Sequence, residues 1–324
     1  MAGGLYRTQL LYVVARLRIA DHVADGPRTA VELAGVTGAD ADALFRVLRA
    51  VASLGVLTQD AGDRFGPTPA SELLRPGRKG SLHARLTLYG EPWWWAPTGQ
   101  LLETVMTGRP AFDRVHGAAL FDWLAAHPDA SETFDAHMTA MTDAEAVGVV
   151  RLDAWPHSGT VVDIGGGRGT LLAALLRARP GLRGVLFDLP HVAGSAGAWL
   201  AAAGVTERCQ LVAGDFFDAV PAGAELYLLK DILHDWDDQR AVAILRTARA
   251  AIPDTGRLAV IERVIPPADT PAPGKLVDVT MLLATGGRER THDEYASLLA
   301  TGGFELETIT PTPAGTDVIA ARPV

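Results

Sequence analysis

Val161-Val162-Asp163-Ile164-Gly165-Gly166-Gly167-Arg168-Gly169-Thr170 decides how the rest of this chain is read. A β-branched run ends on an acid, passes through clustered glycines and enters Leu171-Leu172-Ala173-Ala174-Leu175-Leu176, whose apolar residues recur at helical spacing. That is strand, tight turn, helix. Glycine suits such a turn because a residue without Cβ takes left-handed dihedrals and lets a ligand lie against bare backbone. Gly165, Gly167 and Gly169 fall at alternate positions, whereas the dinucleotide fingerprint places its third glycine one residue later, where Thr170 stands. The spacing weakens an NAD reading.

Working outward, strands and helices alternate from Thr160 to the end. The pattern predicts strands at 160–164, 183–187, 209–213, 225–229 and 257–262, helices at 169–178, 192–203, 238–251 and 292–301, and a final strand pair near 304–310 and 316–321. Such alternation implies a doubly wound, mostly parallel α/β sheet with helices on both faces. Ligands of these sheets bind at the carboxyl ends of the strands, where the strand order reverses.

Upstream, Leu10, Val14 and Leu17 mark one helical face between Leu10 and His22, and a second helix covers Ala30 to Ala34. Asp40 is the expected N-cap of a third, which carries Leu44, Val47, Leu48, Val51 and Leu54 and stops at Gly55. Val56-Leu57-Thr58 and Asp63-Arg64-Phe65 flank a turn, so the segment reads as three helices and a β-wing. A winged helix can read DNA, but Arg46 and Arg49 stand beside Asp40 and Asp42, and a dimerising or substrate-covering role fits better. Residues 1–100 are therefore one expected domain, 101–155 a helical substrate-covering segment, and 156–324 the catalytic domain.

The segment from 81 to 155 is mostly helical, with a break at Gly108-Arg109-Pro110 before a run around Ala119 to Ala126. Trp93, Trp94 and Trp95 cannot all face one core from a regular helix; they are candidates for a pocket wall, beside the plainer role of plugging the seam between domains. Phe134, Met138 and Met141 form an apolar stripe that lines either core or pocket.

Net charge is −9, and it is uneven: residues 1–100 hold 11 Arg and Lys against 9 Asp and Glu, leaving 18 against 29 in the remainder. An acidic body disfavours nonspecific nucleic-acid binding. Cys209 is the only cysteine, so no intrachain disulfide forms and a reducing cytoplasm is the expected home. Leu10–Ala20 is broken by Arg16 and Arg18 and lacks the layout of a signal peptide, and no apolar stretch has membrane-spanning length.

Chemistry should lie at the strand ends. Asp188 follows the second strand, placed to accept from ribose hydroxyls, and Gly214-Asp215-Phe216-Phe217 closes the third with an acid for an adenine amino group and rings to flank the base. The fourth ends in Leu229-Lys230-Asp231-Ile232-Leu233-His234-Asp235-Trp236. There His234 is a candidate general base, with Glu262 and Glu289 available to hold the other ring N–H and stabilise the imidazolium. No acid or histidine cluster has metal-ligand spacing, so a metal-independent reaction is expected.

Asp-x-Gly-Gly-Gly-x-Gly, Phe187-Asp188-Leu189-Pro190-His191-Val192, Gly214-Asp215-Phe216-Phe217, Leu229-Lys230-x-Ile232-Leu233-His234-Asp235-Trp236 and Gly286-Gly287-Arg288-Glu289-Arg290-Thr291 together resemble the S-adenosylmethionine-dependent O-methyltransferases of the caffeate and hydroxyindole type, above all bacterial members acting on aromatic natural products. The order and spacing hold over 160–324. The resemblance implies a seven-stranded methyltransferase sheet and a homodimer built through the N-terminal helices. It implies that S-adenosylmethionine is bound by Asp163, Gly165, Gly167, Asp188, Leu189, Gly214, Asp215, Phe216, Phe217 and Lys230, and released as S-adenosylhomocysteine. It makes His234 the base, flanked by Glu262 and Glu289, and puts Asp235 at the pocket for a small hydroxylated aromatic acceptor. Two rivals stand: a relative that keeps the cofactor site but hydroxylates or decarboxylates a polyketide, and a winged-helix DNA-binding regulator.

Overall fold

The computed structural model describes residues 3–324, the Ser195 side chain excepted. The chain divides into two compact units: residues up to Ala96 with Asp129–Ala140, and Pro97–Pro128 with Met141–Val324.

In the first unit, Asp40 caps the helix Ala41–Ser53 by accepting from the Ala43 N–H, and Thr29 with Glu32 forms a capping box on the helix Ala30–Thr37. Strands β1 (Arg28–Thr29), β2 (Thr58–Gln59) and β3 (Arg64–Gly66) make an antiparallel sheet in the order β1-β3-β2. Asp60 shapes its wing by accepting from the N–H groups of Gly62 and Arg64. The helix expected from Leu10 to His22 is instead two, Gly4–Arg16 and Ile19–His22, separated by Arg18 at φ 55°. Val14 and Ile19 are both fully buried, yet five residues on one continuous helix set side chains about 140° apart. The break turns both into the same core.

The second unit holds a seven-stranded sheet: β4 (Ser158–Ile164), β5 (Gly181–Asp188), β6 (Cys209–Ala213), β7 (Leu226–Lys230), β8 (Arg257–Glu262), β9 (Phe304–Pro311) and β10 (Asp317–Pro323), in the order β6-β5-β4-β7-β8-β10-β9. The pairs from β6 through to β8 are parallel; β10 runs antiparallel to β8 and β9. The chain enters at the interior strand β4, winds outward one way and then the other, so the order reverses between β4 and β7, at the end of Asp163-Ile164. A helix at Gly274–Ala284, for which the apolar pattern gives no signal, precedes the Gly286–Thr291 loop.

Alternation along the strands decides which chemistry faces which layer. Leu258 and Val260 pack into the core beneath the helices Asp238–Ala251 and His292–Thr301, and Glu262 continues that face toward Tyr295. Leu226 and Leu228 pack into the opposite core with Ala146 and Val149 of the helix Pro128–Val149, and Lys230 continues that face toward Glu145. No helix among the described residues is long and apolar enough to cross a membrane.

Candidate active site

The glycine turn leaves β4 with Gly165, Gly167 and Gly169 all at positive φ. Their N–H groups are taken within the protein. Gly165 donates to Phe187 O at 2.8 Å, Gly167 to Asp188 Oδ2 at 2.8 Å, and Gly169 to Gly166 O at 2.9 Å. These three donors therefore do not serve a pyrophosphate, in keeping with the glycine spacing. A Cβ at Gly165 would stand 2.5 Å from Ile232 Cδ1 and one at Gly166 2.4 Å from Leu186 Cδ1, but at Gly167 it would meet open space. Gly167 is where a ligand can approach the backbone.

Asp188 is held by backbone, accepting from Gly167 and, at 2.7 Å, from its neighbour Leu189. Burial raises its pKa, and those two N–H groups oppose the rise. Behind the glycines, Asp163 is buried and neither of its oxygens makes a well-formed hydrogen bond. Burial, and then the charge of Asp188, push it up to about 7, against the pull of Lys230 and the Leu172 N–H. An acid in this state favours a cationic ligand nearby.

Asp215 is exposed and accepts from the Phe217 N–H at 2.8 Å, which turns the chain so that Phe216 and Phe217 meet edge-on at 5.0 Å. Trp236, absent from the residues expected at the site, joins both rings, and the Arg240 guanidinium lies 4.3 Å from its centre. Phe216 Cε1 would lie 3.6 Å from a Cβ at Gly165, so these rings reach the glycine turn. An open cradle, a tethered acid, an unsatisfied buried acid and a cluster of aromatic faces suit a nucleoside-bearing cation.

Lys230 is enclosed rather than free. Its ammonium pairs with Glu145 at 2.8 Å and with Asp231, while Arg263 pairs with Glu145 at 2.6 Å and Asp231 at 3.2 Å. Burial alone would lower the Lys230 pKa, but the charges of Asp231 and Glu145 outweigh it and raise it. Arg263 Nη2 also lies 3.6 Å from Met141 Sδ. Glu145 and Arg263 escape sequence reasoning because one sits mid-helix and the other just past a strand, 118 positions apart.

His234 stands on a 3₁₀ turn, Leu233–Asp235, beyond β7. Its Nδ1 lies 2.9 Å from Glu289 Oε1, and both side chains are buried. A carboxylate at Nδ1 makes that nitrogen the donor, so that in the neutral ring Nε2 is the acceptor, with Asp235 Oδ1 3.8 Å away. Burial by itself would lower the His234 pKa; Asp235, the Glu289 hydrogen bond and Glu262 together hold it at about 10. Burial pushes Asp235 up to about 7, with Glu262, Asp231 and Glu289 adding to the rise and His234 opposing it.

Glu262 corrects the expectation of a second acid on the ring. Its Oε1 accepts the backbone N–H groups of Ile232, Leu233 and His234 at 3.0, 2.6 and 3.2 Å, and its Oε2 accepts from the Tyr295 hydroxyl. It holds the turn and influences the imidazole by charge alone. The carbonyls of the turn are gripped from the other side: Arg290 donates to Leu233 O and Trp236 O, both at 2.9 Å, and the Arg288 N–H donates to His234 O at 2.8 Å. A Cβ at Gly287 would lie 2.0 Å from His234 O, so only glycine lets this loop approach. Asp278, on the helix Gly274–Ala284, accepts from the Glu289 N–H at 2.9 Å and fixes that acid in turn.

Trp93, Trp94 and Trp95 are all half-buried on a short helix of the first unit, where Trp93 meets Trp94 edge-on at 5.7 Å and Trp94 lies 6.1 Å from Phe134. Met138 belongs to that unit and Met141 to the second. Among the described residues no group of three His, Cys, Asp or Glu side chains is placed to hold a metal ion.

Comparison with known proteins gives the same reading. Residues 98–305 match the O-methyltransferase domain and residues 1–76 the O-methyltransferase dimerisation domain. The chain is 46% identical over 328 residues to phenazine O-methyltransferase PhzM of Lysobacter antibioticus, covering 100% of this chain and 95% of that one. It is 39% identical over 317 residues to 8-amino-8-demethylriboflavin N,N-dimethyltransferase of Streptomyces davaonensis, covering 97% and 91%. Among solved structures it matches, with a TM-score of 0.87, 35% identity and coverage of 98% and 96%, the O-methyltransferase NcsB1 from neocarzinostatin biosynthesis in complex with S-adenosylmethionine and 2-hydroxy-5-methyl naphthoic acid.

Proposed function

The chain belongs to the S-adenosylmethionine-dependent O-methyltransferase family, and from that premise we propose that it methylates a hydroxyl of a small aromatic natural product, with His234 as the general base. The observation that carries the reading is the buried His234–Glu289 pair, which leaves Nε2 as the accepting nitrogen at the end of β7, beside the cradle that leaves β4.

When bound, S-adenosylmethionine supplies an electrophilic methyl group on a sulfonium. The rest falls to the chain. Gly165 and Gly167 would hold the cofactor at the glycine turn, Asp188 and Leu189 would bind its ribose, and Gly214, Asp215, Phe216 and Phe217 its base. Asp163 and Lys230 set the charge behind it. Asp235 and Met141, both of the second unit, are proposed for the acceptor's pocket.

His234 Nε2 takes the acceptor's hydroxyl proton while Glu289 holds the opposite side of the ring. A phenol near pKa 10 and an ordinary imidazole near 6.5 make that transfer uphill by roughly 5 kcal/mol. With the imidazole held at about 10 by its acids, transfer to the neutral ring becomes nearly level and the acids stabilise the imidazolium that results, but below pH 10 the ring must first give up its own proton, at about 1.4 kcal/mol per pH unit. The remaining demand is alignment of acceptor and donor, which contributes up to about 7–11 kcal/mol in well-oriented reactions.

Similarity to an N,N-dimethyltransferase supports a second reading, an aromatic amine as acceptor. The two separate cleanly, because an uncharged amine presents its lone pair without prior loss of a proton. Incubation with S-adenosylmethionine and paired hydroxylated and amino aromatics, following product mass and S-adenosylhomocysteine, tests both. Methylated hydroxyls whose formation collapses in His234→Ala support the primary reading; methylated amines that persist in His234→Ala overturn it. No methylated product from any of them counts against both. The residues before about 100 are proposed to build a homodimer, and a single-chain mass by light scattering at micromolar concentration contradicts that. The reaction is proposed to need no metal; loss of activity with EDTA, restored by magnesium, contradicts it.

A further inference from the structure

Glu262 is fully buried and met by donors on both oxygens: three backbone N–H groups of the His234 turn converge on Oε1, and among the described residues the Tyr295 hydroxyl is the donor to Oε2. Tyr295 is itself fully buried, on the helix His292–Thr301, and makes no bond to His234. We propose that Tyr295 is a positioning residue for His234, acting through Glu262: its hydroxyl fixes the carboxylate as an anion and orients it so that one oxygen gathers the turn that carries the base.

The argument is one of donors. All four groups around Glu262 donate, so the ionised carboxylate uses every one of them, whereas a protonated one would turn an O–H toward donors with no acceptor for it. Burial raises the pKa of Glu262, while His234, the Tyr295 hydroxyl and Arg290 oppose the rise. Burial and the charges of Glu262 and Glu289 push the Tyr295 phenol far above its usual range, so it remains a donor throughout the working pH. Removing that hydroxyl takes away the protein donor to Oε2 in a buried site, and Glu262 then favours its neutral form. A neutral Glu262 loses one of three acids that raise His234, the others being Asp235 on the same turn and Glu289 from the Gly286–Thr291 loop. Asp231, the remaining acid that senses His234, is committed to Lys230 and Arg263.

The inference rests on His234 being the base, and the test separates the two. The His234 ring is titrated by NMR, assigned by its loss in His234→Gln, and kcat and both KM values are measured, for wild type, Tyr295→Phe, Glu262→Gln and the double variant. In Tyr295→Phe the His234 midpoint is expected to fall by about half a unit or more, carrying the rise of kcat with pH down by the same amount, and the limiting kcat above that rise is expected to fall by about fivefold or more, with both KM values within about twofold. Once Glu262 is Gln, adding Tyr295→Phe is expected to change neither quantity further. An unshifted midpoint in Tyr295→Phe overturns the proposal, as does an equal loss in the Glu262→Gln background. Should Tyr295→Phe not fold, Glu262→Gln carries the test, and an unchanged midpoint there overturns it equally. If His234→Ala keeps full turnover, the base assignment fails on its own, while the NMR midpoint still reports whether Tyr295 acts on the ring.

Discussion

His234 Nδ1 and Glu289 Oε1 stand 2.9 Å apart in a buried pair whose members are 55 positions apart in the chain. The carboxylate both selects the tautomer and stabilises the imidazolium. Glu289→Gln keeps the shape and removes the charge, so the His234 midpoint is expected to move down and the limiting kcat, read at pH above that midpoint, to fall by about tenfold or more. Steady-state kinetics beside an NMR titration of the ring check this; unchanged values in both remove Glu289 from its role.

The pH dependence follows from the raised His234. With His234 as the proposed base, which must be neutral to act, and its pKa held at about 10, log kcat/KM is expected to climb with a slope near one from about pH 7 to 9 rather than level off near the ordinary histidine value. The same shift bears on stability. A histidine whose folded pKa lies above its unfolded value of about 6.5 contributes stability fully below that pH and loses it as pH rises through 10. Thermal midpoints of wild type are thus expected to decline between pH 7 and 10 more than those of His234→Gln.

Asp163 has the opposite sign. Its pKa of about 7 lies above the unfolded value near 3.9, so the folded chain is penalised once pH exceeds that value, in full above 7, by roughly 4 kcal/mol. Asp163→Asn is expected to raise the thermal midpoint at pH 8, with the gain vanishing toward pH 4, and to weaken binding of S-adenosylhomocysteine. Scanning at both pH values and calorimetry with that product decide it; a variant less stable at pH 8 contradicts the reading.

Two glycines should fail in different ways. Gly167→Ala places a Cβ in open space at φ +59°, a strain of about 1–2 kcal/mol, and is expected to raise the cofactor KM about tenfold while sparing the acceptor KM. Gly287→Ala drives a Cβ into the carbonyl of His234 and is expected to lower both stability, by about 1–3 kcal/mol, and kcat. Equal effects of the two on cofactor KM argue against the division of labour between cradle and base loop.

The sequence by itself determined the architecture and where its glycines and acids stand at the strand ends. The glycine turn, the caps at Asp40 and Thr291, and the acids at the ends of β4, β5 and β8 depend on near neighbours, and strand and helix periodicity is legible over a few residues. It had no access to the helix Gly274–Ala284, whose apolar residues follow no clear stripe after a proline-rich segment. Nor could it tell that Glu262 grips backbone instead of imidazole, that Tyr295 and Arg290 stand behind the base, or that Lys230 is locked between Glu145 and Asp231. Those partnerships join residues from 28 to 85 positions apart across separate layers, the nearest neighbours Lys230 and Asp231 excepted. Only the winding of the sheet brings them within hydrogen-bond distance, because which carboxylate oxygen meets which donor is set by packing between elements and leaves no trace in local spacing.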